Sequence, residues 1–236
     1  MKPWFVTGTD TGVGKTRAAV ALLGALAKQG FTVAGMKPIA TGSSQTVDGL
    51  RNDDALALAG ASTVRVRYAD VNPYAFAPPI APHIAAAEEG RTIELPVLER
   101  AYERLALTAQ AVVIEGAGGW LTPISEARTL ADFAALVDAQ VILVVGLKLG
   151  CINHALLTER AIRAAGMTLA GWVGSAIDPA FERAQENRAA LRERIAAPCL
   201  GILEHRPDAS PPELADAINV DFVIRQRAGM KGRAPR

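Results

Sequence analysis

The residues with the plainest chemical potential stand near the start of the chain, in Gly8-Thr9-Asp10-Thr11-Gly12-Val13-Gly14-Lys15-Thr16. Glycines let a backbone turn so that several N–H groups converge on phosphate oxygens at the opening of a helix. In such a loop Lys15 reaches the β- and γ-phosphates of a nucleoside triphosphate, and the Thr16 hydroxyl takes a place on Mg²⁺. The spacing departs from the usual pattern by one residue. Counted back from Lys15, the first glycine should fall at Thr9, and it stands at Gly8. The loop predicts triphosphate binding and leaves the reaction open.

Further clusters carry charge at positions where strands should end. Gly35-Met36-Lys37-Pro38-Ile39-Ala40-Thr41-Gly42 places Lys37 at a strand's carboxyl end, on the rim the phosphate loop also occupies, although a surface lysine reads the same way. Val113-Ile114-Glu115-Gly116-Ala117-Gly118-Gly119-Trp120 sends an acid out of an apolar run. That is the place for a second magnesium contact, and the glycines behind it let backbone approach phosphate or substrate. In Leu50-Arg51-Asn52-Asp53-Asp54-Ala55 a metal role and simple capping of the next helix are both open.

The elements that must position these groups follow from periodicity. Short apolar runs predict strands at Trp4–Thr7, Thr32–Met36, Ala111–Glu115, Val141–Val145, Leu169–Val173 and Pro198–Ile202. Helical patterns occupy Lys15–Lys28, Asp53–Ala59, Leu95–Ala109, Leu130–Asp138, Asn153–Ala165 and Pro179–Ile195, with Gly30 and Gly166 placed to end two of them. This alternation predicts an α/β fold with a doubly wound, mostly parallel sheet and helices on both faces, of the P-loop NTPase type. The segment from Thr41 to Thr92 shows no clear strand, carries Pro73, Pro78, Pro79 and Pro82, and reads as an insertion over the sheet's carboxyl edge. A single domain accounts for all 236 residues.

Composition narrows the partners. A formal net charge of +1 offers neither nucleic acid nor an anionic membrane an electrostatic attraction. The local excess of Arg225, Arg227, Lys231, Arg233 and Arg236 reads as a solvated, flexible tail over residues 225–236. Two cysteines, Cys151 and Cys199, suit neither a disulfide framework nor a metal-ligand spacing. No charged and apolar leader precedes the loop, and the longest apolar run, Val141 to Leu147, is too short to span a bilayer. The expectation is a soluble, cytoplasmic protein.

Taken jointly, the blocks resemble the dethiobiotin synthetase family. They are Thr7-Gly8-Thr9-Asp10-Thr11 with Val13-Gly14-Lys15-Thr16, Lys37-Pro38, Asn72-Pro73-Tyr74, Pro82-His83, Glu115-Gly116-Ala117-Gly118-Gly119, and Val144 through His154 with Lys148-Leu149-Gly150-Cys151-Ile152-Asn153 inside it. They stand in family order. The resemblance implies a homodimer that joins CO₂ to 7,8-diaminononanoate with ATP and Mg²⁺. It assigns Thr16, Asp54 and Glu115 to the metal, and Thr11, Gly12, Val13, Gly14, Lys15, Thr16, Arg17, Gly116, Ala117 and Gly118 to the nucleotide. Lys37 and Lys15 serve catalysis, with Thr41 beside the substrate. Leu149, Gly150, Cys151, Ile152 and Asn153, from the partner subunit, hold the substrate's carboxylate tail, and Glu204 walls the nucleotide pocket.

The match departs from the family at Ser175, where an asparagine commonly reads the adenine edge, and a single hydroxyl predicts weaker base selectivity. A partition-type switch ATPase is the nearest rival. Its signature lysine, five residues before the loop lysine, is replaced here by Asp10. The amidotransferase-linked synthetases need a second domain for which this chain has no room. A bare nucleotide-binding module gives no reason for Lys37, Glu115 and Gly150 to share one rim.

Overall fold

The structure is a computed structural model and describes residues 2–206 and 208–227. In chain order it runs β1 (Trp4–Gly8), α1 (Lys15–Lys28), β2 (Val33–Met36), β3 (Ile39–Ala40), β4 (Ser44–Thr46), β5 (Gly49–Arg51), α2 (Asp53–Ala61), α3 (Tyr68–Val71), β6 (Tyr74–Ala75) and α4 (Pro82–Glu88). It continues through α5 (Leu95–Thr108), β7 (Ala111–Glu115), α6 (Leu130–Leu136), β8 (Gln140–Gly146), α7 (Cys151–Ala164), β9 (Leu169–Ser175), α8 (Ala184–Arg194), β10 (Cys199–Leu203), α9 (Pro211–Asp216) and α10 (Asp221–Arg227).

Six strands form one sheet in the order β10-β9-β8-β1-β7-β2, and every pairing in it is parallel. Both faces are covered, so the strands are apolar at nearly every position rather than at every second one. Their side chains still alternate in destination. Phe5, Leu143 and Val145 enter a core with Leu98 and Leu105 of α5 and Phe133 of α6. Trp4, Val6, Ile142 and Val144 enter the opposite core with Leu22, Leu23 and Leu26 of α1. The chain leaves β1 for β2 on one side of the sheet and later returns to β8 on the other, which opens a crevice at the carboxyl end of β1.

The six expected strands form the sheet, with ends displaced by no more than two residues. Two helix starts differ for a local reason. Arg183, a left-handed residue with φ 57°, breaks the run expected from Pro179, so α8 begins at Ala184. Gly150, at φ 90°, lets α7 begin at Cys151, two residues before the expected Asn153. Gly30 and Gly166 take the left-handed conformation expected of helix ends. The 41–92 segment, expected without strands, contains the β4–β5 hairpin and β6, which pairs with β3. These strands are only two or three residues long, and β4 is exposed, so no apolar period marks them. Of the basic tail, Arg225 and Arg227 close α10, while Lys231, Arg233 and Arg236 lie outside the described residues. Among the described residues no helix is long and apolar enough to cross a membrane.

Near the sheet's edge, Gly201 of β10 faces the end of α9 so closely that an added Cβ would lie 1.9 Å from the Ala217 carbonyl oxygen. Backbone cannot yield there as a flexible side chain would. Gly201→Ala is expected to lower the unfolding free energy by about 2 kcal/mol or more, read as a shifted urea midpoint. An unchanged midpoint would show that β10 and α9 do not meet as described.

Candidate active site

The loop between β1 and α1 is shaped by close contacts and by two left-handed glycines. Gly12 has φ 74°, and Gly14 has φ 87° as the residue that opens α1. An added Cβ at Gly8 would sit 2.7 Å from the Val13 side chain, and one at Gly14 would sit 2.6 Å from the Ser175 hydroxyl. Val13, fully buried, is the loop's anchor in the core. Above it, α1 opens with no acidic residue in its first turn and no side-chain cap, which leaves a positive helix end facing the crevice. Lys15 donates to the Asp10 carbonyl oxygen at 2.9 Å. Burial, and then the charge of Lys37, depress its ammonium to about 8. A phosphate would relieve both by adding negative charge.

Facing Lys15 is a cluster drawn from three parts of the chain. Lys37 Nζ lies 2.5 Å from Glu115 Oε1 and 2.7 Å from Asp54 Oδ2. The Thr16 hydroxyl is 2.8 Å from Asp54 Oδ1 and 3.0 Å from Glu115 Oε1. Burial alone would lower the Lys37 ammonium, but Glu115 and then Asp54 reverse this and raise it. Burial would raise the Asp54 carboxyl, yet the Lys37 charge and hydrogen bonds from Lys37 and Thr16 hold it low. Glu115 is pushed up, chiefly by burial, with Lys37 pulling against it.

These residues also fit Mg²⁺. Glu115 Oε2 is buried without a hydrogen-bond partner, beside an Asp54 carboxylate and a Thr16 hydroxyl. Hard oxygen donors of this kind, few in number, suit an ion that keeps waters and takes phosphate oxygens as its remaining ligands. Among the described residues no cluster of three or more His, Cys, Asp or Glu stands ready as an all-protein cage.

The cavity at this rim has a volume of about 380 Å³. It is lined by Thr11, Gly12, Gly14, Lys15, Thr16, Arg17, Lys37, Thr41, Asp54, Glu115, Ala117 and Gly118, so most of the expected site residues converge on one space. The others stand elsewhere. Gly116 is buried where an added Cβ would press the Phe5 ring at 3.1 Å. Ser175 is fully enclosed beneath Gly14, and its hydroxyl has no hydrogen-bond partner. The Glu204 carboxylate is gripped by both terminal nitrogens of Arg188 at 2.9 and 2.8 Å. Leu149, Gly150, Cys151, Ile152 and Asn153 are absent from the lining of this cavity; Leu149 is 89% exposed and Cys151 is buried.

Sequence reasoning gave no role to Arg188 or Lys148. Lys148 pairs with Asp10 at 3.1 Å and joins the loop ahead of α7 to the phosphate loop. Arg188 stands in no motif, and Lys148, although inside the Val144–His154 block, had no part of its own there; both charges gain meaning from what folds against them.

Comparison with known proteins agrees with this geometry. A family model described as an AAA domain matches residues 2–213. The chain is 52% identical over 207 residues to the ATP-dependent dethiobiotin synthetase BioD of Yersinia pestis bv. Antiqua (strain Angola), covering 88% of this chain and 86% of that one. It is 46% identical over 217 residues to the corresponding protein of Xanthomonas oryzae pv. oryzae (strain PXO99A), covering 92% and 97%. In fold it is similar to the MinC:MinD cell division protein complex of Aquifex aeolicus, with a TM-score of 0.59, 15% identity, and 100% of this chain and 99% of that one covered. That likeness concerns the fold alone, and it is the sequence relatives that place the chain: it belongs to the ATP-dependent dethiobiotin synthetase family of ligases.

Proposed function

We propose that this chain joins CO₂ to 7,8-diaminononanoate at the expense of ATP, closing the ureido ring of dethiobiotin with release of ADP and phosphate. The observation that carries the reading is Lys37. It is a buried cation aimed into the cavity beside the phosphate loop, additional to the lysine that nucleotide binding itself requires.

One substrate amine attacks CO₂, forming the N–C bond of a carbamate and losing a proton. A carbamate oxygen then attacks the γ-phosphorus, and ADP leaves. The second amine attacks the carbonyl carbon of this mixed anhydride, closing the ring and expelling phosphate. Transfer of this kind needs positioning and charge neutralisation more than a protein nucleophile. Lys15 neutralises the outer phosphates, and the opening of α1 offers them its N–H groups. Lys37 is placed to meet the carbamate and the migrating phosphoryl oxygens, with Thr41 nearby as a hydroxyl donor. Thr16, Asp54 and Glu115 would hold Mg²⁺, which when bound neutralises phosphate charge.

The α7 opening completes the site from a second subunit. Support comes from its position: Gly150 starts the helix free of any side-chain cap, Leu149 projects into solvent, and neither lines the cavity of its own chain. Sedimentation with an activity assay tests this. Activity should follow the dimer, and a monomer with full activity would overturn the shared site.

Mass spectrometry of a reaction containing ATP, Mg²⁺, bicarbonate and the diamine should find dethiobiotin, with phosphate release that stops when the diamine is left out. Phosphate release indifferent to the diamine would favour a switch ATPase instead. Lys37→Ala is expected to lower kcat about 10²- to 10³-fold while ATP binding survives. Near-normal turnover in that variant would remove Lys37 from the chemistry.

A further inference from the structure

We infer that the Tyr68 hydroxyl and the Asn72 amide are positioning residues, which fix the Asp54 carboxylate relative to Lys37. The inference rests on the metal and phosphate roles proposed above. Neither side chain lines the cavity; both act through residues that do.

The bonds form a closed circuit. Asn72, nearly wholly buried, donates from Nδ2 to the Lys37 carbonyl oxygen at 2.7 Å and to the Tyr74 carbonyl oxygen at 3.1 Å. Its Oδ1 accepts from the Tyr68 hydroxyl at 3.1 Å. The Tyr68 oxygen in turn accepts the backbone N–H of Asn52 at 2.8 Å. Asn52 opens α2, its side chain accepting from the Ala55 N–H, and Asp54 lies in the first turn of that helix. From Asp54 the circuit returns to Lys37 through the ion pair at 2.7 Å. The phenolic oxygen and the Asn72 amide together therefore join the backbone just after β2 to the backbone at the start of α2. Loss of it strands a donor on Asn52 and an acceptor on Asn72, both in buried residues, and such orphans are costly enough to shift backbone.

The phenol's ring has a separate job. The Arg51 guanidinium lies over it, 4.2 Å from its centroid, and phenylalanine would keep that contact. Packing and positioning can thus be separated by substitution.

The test is calorimetric binding of ADP to the full-length protein with and without Mg²⁺, on the wild type, Tyr68→Phe and Tyr68→Leu, with melting temperatures alongside. The wild type should bind ADP more tightly with the metal. Tyr68→Phe should lose about tenfold of that gain, while its metal-free ADP affinity stays near that of the wild type and its melting temperature falls by only a few degrees for the two stranded groups. Asn72→Ser cuts the circuit one bond further on and should show the same metal-specific loss. If Tyr68→Phe keeps the full gain and only Tyr68→Leu loses it, the residue acts by packing and the inference is overturned. The same holds if affinity with and without metal falls together with the melting temperature. If the wild type itself gains nothing from Mg²⁺, the metal role of Asp54 fails first, and the inference falls with it.

Discussion

Two lysine ammoniums buried at one end of a parallel sheet set the terms for the rest of the site. Lys15 is 7% exposed and Lys37 is 4% exposed, and each makes the other's charge harder to hold. Burying a cation without a partner is untenable, so carboxylates must come close. Strand order supplies the first of them. Because β7 lies between β1 and β2, with Val6 opposite Glu115 and Met36 opposite Ile114, the residues leaving these strands emerge side by side. Glu115 is thus delivered between the loop that carries Lys15 and the turn that carries Lys37. The attraction that makes the cluster stable as a protein also makes it responsive to phosphate and metal, since either changes the charge to which every member is adjusted.

The second carboxylate has to come from outside the sheet, and its delivery depends on a small residue. At Gly35 of β2 an added Cβ would meet the Leu58 Cβ at 2.8 Å and the Leu58 backbone oxygen at 2.9 Å. Helix α2 therefore lies against bare strand backbone. Leu58 is one helical turn after Asp54, so the contact that seats Leu58 brings Asp54 to the rim. Packing in the core and chemistry at the edge are two ends of the same helix face. A larger residue at position 35 would act at a distance, by lifting α2 and drawing Asp54 away from Thr16.

How far the site was legible in the sequence follows from this division. The six sheet strands announced themselves because burial on both faces leaves little but apolar residues in each, and the phosphate loop did so because left-handed turns at Gly12 and Gly14 need glycine. Glu115 could be placed on the rim from its strand and the phosphate loop, whereas Lys37 stood at a strand end where a surface lysine reads the same way. Asp54 could not be placed in that way. Its reach depends on how α2 sits, and Leu50-Arg51-Asn52-Asp53-Asp54-Ala55 served equally well as a capped helix start, which it also is, with Asn52 as the cap. The resemblance to a family decided between readings that residue types left open. Tyr68 stood in a proline-rich stretch with no period, and its hydroxyl matters only because Asn52 and Asn72 fold on either side of it. The β4–β5 hairpin gave no signal for the opposite reason: its residues are exposed or half-exposed and bury too little to leave a pattern.

The corner beyond Arg17 shows the same dependence carried to its limit. Arg17, two residues after Lys15, donates to the carbonyl oxygens of Glu204 and Arg206 at 3.3 and 2.9 Å and so docks the segment after β10 onto α1. Arg188 of α8 holds the Glu204 carboxylate from the other side. Three elements distant in sequence thereby share one corner through charges that no motif singles out. Backbone carbonyls are the acceptors for Arg17, so the identities of residues 204 and 206 matter little to that contact, whereas Arg17 and Arg188 matter a great deal. Such a corner rests on two arginines and on the path of a chain rather than on a string of residues.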